Sequence, residues 1–209
     1  MWRWSVALVG TGVLCVLAGR VRAEEHGPRA TVEALNAALL DVLKRGEALG
    51  YQGRVERLKP VMQQLFDVPF MAEKSIGLHW KKLSDADRAR WVALFGDFTV
   101  ANYAANFDRF TGQHFEVLGE EPAASDTRLV RTRVVTPGAE SVELAYRLHE
   151  GGGRWSIVDV YLKGTVSELA LRRADYASVL ERDGFEALLT TIRRKVADLA
   201  AGRGKRERL

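Results

Sequence analysis

The hydrophobic period of this chain changes twice, and that fixes most of what it can become. From Pro28 to Phe107 apolar residues recur at spacings of three and four, the mark of amphipathic helices. From His114 to Leu162 the period drops to two, the mark of strands. After Ser167 the helical period returns. Helices, then strands, then helices describe an α+β domain with helices packed on an antiparallel sheet.

Within the first block, Val32, Leu35, Leu39, Val42 and Leu43 form one stripe. A second stripe over residues 51–65 holds Val55, Leu58, Met62 and Leu65, and Pro60 should kink or divide it. Asp67 and Pro69 open a short helix over 68–76. The clearest helix spans 85–107. Ser84 is its N-cap, and Asp85 and Asp87 sit in the first turn, where the helix dipole favours acids. Its apolar face is Trp91, Leu94, Phe95, Phe98, Ala101, Asn102, Ala105 and Phe107, an unusually aromatic stripe.

Four strands are expected over 114–120, 127–136, 141–150 and 154–162. Pro137-Gly138 and Gly151-Gly152-Gly153 mark reversals between them. In the third strand Val142, Leu144, Tyr146 and Leu148 share a face. In the fourth, strict alternation puts Trp155, Ile157, Asp159 and Tyr161 opposite Ser156, Val158, Val160 and Leu162. Both of those faces are largely apolar, so this strand should be covered on both sides or border a cavity. Two closing helices, 167–183 and 185–200, are separated by Gly184. The expected fold is a four-stranded antiparallel meander wrapped by five to six helices, with an apolar cavity between sheet and helices.

The chain's ends carry its basic surplus. Residues 1–23 have the form of a secretory signal peptide: Arg3, an apolar run from Val6 to Ala18, and Val21-Arg22-Ala23 before the cut. The run is shorter than the ~20 residues that span a bilayer, which favours cleavage over anchoring. Cys15, the only cysteine, follows Leu14, a poor context for a lipidation site. Without that segment the chain has 28 basic and 27 acidic residues and no cysteine. Residues 201–209 form a basic tail expected to be disordered, and the body, 24–200, has 24 basic against 26 acidic residues. The formal charge of +4 therefore does not describe the body, and nucleic acid is not a natural partner.

Little in the sequence suggests covalent chemistry. His26, His79, His114 and His149 make no metal-ligand spacing, thiol catalysis has no cysteine in the body, and no cofactor motif is present. Asp159, on an apolar strand, is the one carboxylate out of place. It is either a structural acceptor of backbone N–H groups or a buried general base in a small α+β enzyme. Arg172-Arg173 and Arg193-Arg194-Lys195 suit solvated helix faces or docking to acidic groups.

Three stretches carry a family resemblance. They are Leu65-Phe66-Asp67-Val68-Pro69-Phe70-Met71-Ala72 followed by Gly77-Leu78-His79-Trp80-Lys81-Lys82-Leu83-Ser84; Phe95-Gly96-Asp97-Phe98 with Tyr103-Ala104; and Trp155-Ser156-Ile157-Val158-Asp159-Val160. In this order and spacing the chain, over roughly 30–200, resembles the MlaC/toluene-tolerance auxiliary family of periplasmic lipid-transport proteins. Gly164-Thr165-Val166-Ser167-Glu168-Leu169-Ala170-Leu171-Arg172-Arg173 departs from the main pattern and looks like the hopanoid-associated branch, HpnM.

The resemblance implies a non-enzymatic carrier of phospholipid or hopanoid between an inner-membrane transporter and an outer-membrane acceptor. The physics agrees. Exposing two ~15-carbon chains to water would cost on the order of 20 kcal/mol, so a carrier must enclose them. The expected tail contacts are Trp91, Phe95, Phe98, Val142, Leu144, Tyr146, Ile157, Val160 and Tyr161. An adaptor with a solid core, binding no lipid, is the other non-enzymatic possibility.

Overall fold

Helix α1, Pro28–Lys44, begins with a proline whose missing N–H costs nothing in a first turn. The computed structural model describes residues 27–203. The proposed signal segment and residues 204–209 lie outside it. The stripe Val32, Leu35, Leu39 and Val42 is fully buried, and α1 lies across the sheet.

Helix α2 spans Gly46–Leu65, and its break is not at Pro60. Gly50 has φ +60°, a left-handed conformation open to glycine, and interrupts the helix there. The backbone stays helical through Pro60. Glu56, whose carbonyl the proline leaves without its N–H, is exposed, so water can take that bond. Buried Arg54 donates from Nε to the Ala104 carbonyl (2.7 Å) and from Nη1 to the Gly46 carbonyl (2.8 Å).

Helix α3, Val68–Ile76, is capped by Asp67, whose carboxylate accepts the Phe70 N–H at 3.0 Å. Its other oxygen meets His149 Nε2 at 2.9 Å. A 3-10 turn, Gly77–Lys82, leads to helix α4, Asp85–Asn106, where Ser84 Oγ accepts the Asp87 N–H as expected.

The sheet is an antiparallel meander in the order β1 (His114–Ala123), β2 (Thr127–Val135), β3 (Val142–Gly151), β4 (Arg154–Leu162) and β5 (Val166–Ser167). It has five strands, not four. Lys163 and Gly164 both have positive φ, and Thr165 N–H donates to the Leu162 carbonyl at 3.1 Å, a two-residue hairpin turn. The chain thereby folds back to pair Leu162 with Val166 and Tyr161 with Ser167. Two residues are too few for alternation to show.

Strand β4 also departs from strict alternation. Leu148 pairs with Ile157, but Arg147 pairs with Asp159, so Val158 is an extra residue, a bulge. Cross-strand partners share a face. Ile157, opposite Leu148, and Val160, opposite Tyr146, therefore both face the helices. Asp159 and Tyr161 face the other way. That opposite face is polar across β1 to β3, where Arg133 pairs with Glu143 (2.8 Å) and Glu116 (3.6 Å).

Helix α5, Glu168–Ala200, is broken at Gly184 (φ +81°), so it comprises the two expected segments. Residues 201–203, assigned to the tail by composition, close it instead. Gly202 takes φ +67°, its N–H donates to the Leu199 carbonyl, and Arg203 N–H donates to the Asp198 carbonyl, a Schellman cap. Among the described residues no helix is long and apolar enough to cross a membrane.

Candidate apolar binding cavity

Three successive helices leave a gap of about 470 Å³ between them. Helix α2 contributes Met62, α3 contributes Met71, and α4 contributes Val92 and Phe95. Phe66, in the link between α2 and α3, forms part of the floor. It is held by a parallel bridge to Ile157, while Asp67 N–H donates to the Ile157 carbonyl at 2.9 Å. The rim is polar: Lys59, Asp67, Asp97 and Arg154. Lys59 Nζ meets Asp97 Oδ1 at 2.8 Å, and both side chains are about half exposed. Gly96 lets α4 approach α3 closely, since a Cβ there would lie 3.2 Å from Val68 Cγ1.

Beneath this gap is a second void of about 10 Å³, room for a water-sized group. Phe66, Met71, Phe95 and Thr99 border both spaces and form the partition between them. The smaller void also touches Tyr103, Val160, Glu168 and Arg172, so it reaches the sheet at Val160, whereas the larger gap lies among the helices and not between sheet and helices as expected. Its polar groups are deeply buried. Arg172 Nη2 pairs with Glu168 Oε2 at 3.2 Å, and Arg172 Nη1 donates to Thr99 Oγ1 at 3.2 Å. The guanidinium also lies over the Phe95 and Phe98 rings, 5.6 and 5.2 Å from their centroids. Arg172 is thus not on a solvated face, although its position in a double-arginine pair suggests one.

Burial pushes the Tyr103 phenol well above its ordinary value, with neighbouring Tyr146 and Glu168 adding to the effect. Burial raises Tyr146 likewise. Both are therefore neutral hydrogen-bonding groups at any physiological pH.

The structure distributes the expected contact residues unevenly. Phe95 borders both spaces and Val160 the smaller one. Trp91, Phe98, Leu144, Tyr146 and Ile157 are packed in the surrounding core. Trp91 Nε1–H donates to the Ala72 carbonyl (2.9 Å), and its ring meets Tyr176 edge-on at 5.3 Å. Val142 lies at a strand end and is 37% exposed. Tyr161 is on the far face of the sheet, under the Arg147 guanidinium at 5.3 Å, because the bulge at Val158 reverses the pattern that grouped it with Ile157. Met62, Phe66, Met71 and Val92 form the larger cavity instead. Phe66 and Met71 lie in the first motif stretch, which was the available signal.

Asp159 serves a local purpose. Its Oδ1 accepts the N–H groups of Val160 (2.8 Å) and Leu169 (3.2 Å), and its Oδ2 accepts the Ser167 hydroxyl (2.6 Å). It holds β5 and the first turn of α5 against β4, where its charge suits the helix N-terminus. Among the described residues no group of three or more histidine, aspartate or glutamate side chains could hold a metal ion.

A helix-covered antiparallel meander with an apolar, polar-rimmed cleft among its helices defines an α+β binding fold. The MlaC protein family model matches residues 33–194, and the chain belongs to that family. Among solved structures it is similar to the phospholipid-binding protein from Ralstonia solanacearum, determined in complex with a phospholipid. The two share 20% sequence identity with a TM-score of 0.72, over 82% of this chain and 97% of that one. No curated protein matches the chain in sequence.

Proposed function

We propose that the protein is a periplasmic lipid-binding shuttle that carries a phospholipid or a hopanoid between an inner-membrane transporter and the outer membrane, without covalent chemistry. The observation that carries this reading is the cavity of about 470 Å³ with Met62, Phe66, Met71 and Phe95 inside and Lys59, Asp97 and Arg154 outside. Such a site suits apolar chains within and a polar headgroup at the mouth, in water. The phospholipid bound by the Ralstonia solanacearum protein of the same fold supports the same ligand class.

In this reading residues 1–23 direct export and are removed, and 24–200 form the carrier. The hopanoid option rests on the segment from Gly164 to Arg173. Two acyl chains would need more room than the cavity offers, and the wall is suited to yield. Met62 and Met71 are unbranched and adaptable, and the Lys59–Asp97 pair is a weak surface link.

The test is uptake from vesicles. Purified protein is mixed with phosphatidylglycerol vesicles carrying a trace fluorescent phospholipid, then separated by size. Fluorescence moving with the protein at up to one lipid per chain is the expected result. No transfer at any protein concentration would contradict the proposal.

A further inference from the structure

The buried end of the site has a chemistry that apolar chains alone do not require. The void beyond Phe66, Met71 and Phe95 meets Thr99, Tyr103, Glu168 and Arg172, each at most 9% exposed. Tyr146, fully buried, stands behind Tyr103. Thr99 uses its proton on the Phe95 carbonyl (2.8 Å) and accepts from Arg172. The two tyrosine hydroxyls are electrostatic neighbours, yet neither has a hydrogen bond of good geometry. Even if they paired, one would donate and the other's proton would still need an acceptor. A buried hydroxyl left so is costly, and an ordinary core would place phenylalanine there.

Charge narrows what could satisfy it. Glu168 and Arg172 are the two charged residues that line the void and they pair with each other, so an uncharged group suits it better than a phosphate. It offers a free O–H donor and phenolic and carboxylate acceptors. A ligand hydroxyl, which both donates and accepts, matches that set, and the void is the size of one such group.

We infer that Tyr103, Tyr146 and the Glu168–Arg172 pair form a subsite for an uncharged hydroxyl at the buried end of the lipid, reached when the Phe66–Met71–Phe95 partition opens. This rests on the lipid-binding reading above. It lets the protein accept lipids whose enclosed portion ends in a hydroxyl, which a wholly apolar site would reject.

The experiment compares palmitic acid with ω-hydroxypalmitic acid as competitors of a fluorescent fatty acid. The two share a carboxylate for the rim and differ only at the far end. Wild type should bind them within about threefold of each other. The Tyr103→Phe/Tyr146→Phe double variant should lose about tenfold or more in affinity for the hydroxylated acid relative to palmitic acid. Tyr103→Phe alone, with its fold checked by circular dichroism, should show part of that loss. The inference is overturned if wild type itself rejects the hydroxylated acid tenfold, or if wild type and both variants share one affinity ratio. If neither acid binds wild type, the lipid-binding reading fails together with it.

Discussion

Lys59 and Asp97 form an ion pair of 2.8 Å that joins α2 to α4 at the rim of the larger cavity. Half-exposed pairs of this kind contribute little to folding, ~0–1 kcal/mol, but this one must part if the helices are to spread around a ligand. Lys59→Ala should therefore leave the denaturant midpoint almost unchanged while speeding lipid exchange between protein and vesicles several-fold. Raising salt should speed exchange in wild type and have less effect in the variant. Stopped-flow transfer of a fluorescent phospholipid reads both.

Trp91 fastens α4 to α3 through the Ala72 carbonyl, with Ser75 Oγ a second acceptor at 3.2 Å. It borders neither space, so its substitution should act on stability and not on binding. Trp91→Phe removes the indole donor shared by the Ala72 carbonyl and Ser75 Oγ, although Ser75 still donates to that carbonyl at 2.7 Å, and should cost roughly 1–2 kcal/mol. Lipid bound per folded molecule should stay at the wild-type level. Urea unfolding measures the first quantity and lipid extraction the second.

Asp159→Asn separates a structural role from a catalytic one. The asparagine keeps one oxygen for the Val160 and Leu169 N–H groups but loses the acceptor that Ser167 uses. A loss of roughly 1–2 kcal/mol in stability is expected, with lipid transfer preserved. Abolished transfer in a folded variant would instead give Asp159 a direct part in function.

Tyr103 and Tyr146 predict a stability profile at high pH. Burial raises both phenols above the value of ~10 that they have in the unfolded chain. Their contribution is complete below pH ~10 and is lost as pH rises toward the folded values, because only the unfolded chain releases the protons. Stability should fall above pH ~10, by up to ~1.4 kcal/mol per pH unit for each tyrosine. Tyr103→Phe should make that slope shallower. Guanidinium unfolding followed by tryptophan fluorescence from pH 8 to 11.5 provides the check.

Local signals were readable wherever the residues that decide a feature are close in sequence. Ser84 with Asp85 and Asp87 set the start of α4, Gly184 divided α5, and the triple glycine 151–153 joined β3 to β4 within one residue of the expected bounds. Features that depend on a single backbone choice were hidden. The bulge at Val158 adds one residue and moves Tyr161 away from Ile157, and a period-two pattern cannot show such an insertion. Pro60 did not divide α2 as expected; the break is at Gly50, just before the expected start at residue 51.

A cavity was expected between sheet and helices, but the place of the larger gap, among α2, α3 and α4, was hidden for a different reason. Met62, Phe66, Met71 and Phe95 each sit on a segment whose apolar residues look like ordinary core. Only their arrangement across three helices leaves space. Arg172 was obscured by Arg173 beside it, although Glu168 four residues earlier supplies a helical partner.

The most direct measurement is mass spectrometry of the lipid released from protein isolated from its own cells under native conditions. The account predicts a bound lipid approaching one molecule per chain, a phospholipid or a hopanoid, and lower occupancy in a variant such as Met62→Asp that places a charge in the cavity. Protein that comes out empty, and stays empty after incubation with membranes, would contradict it.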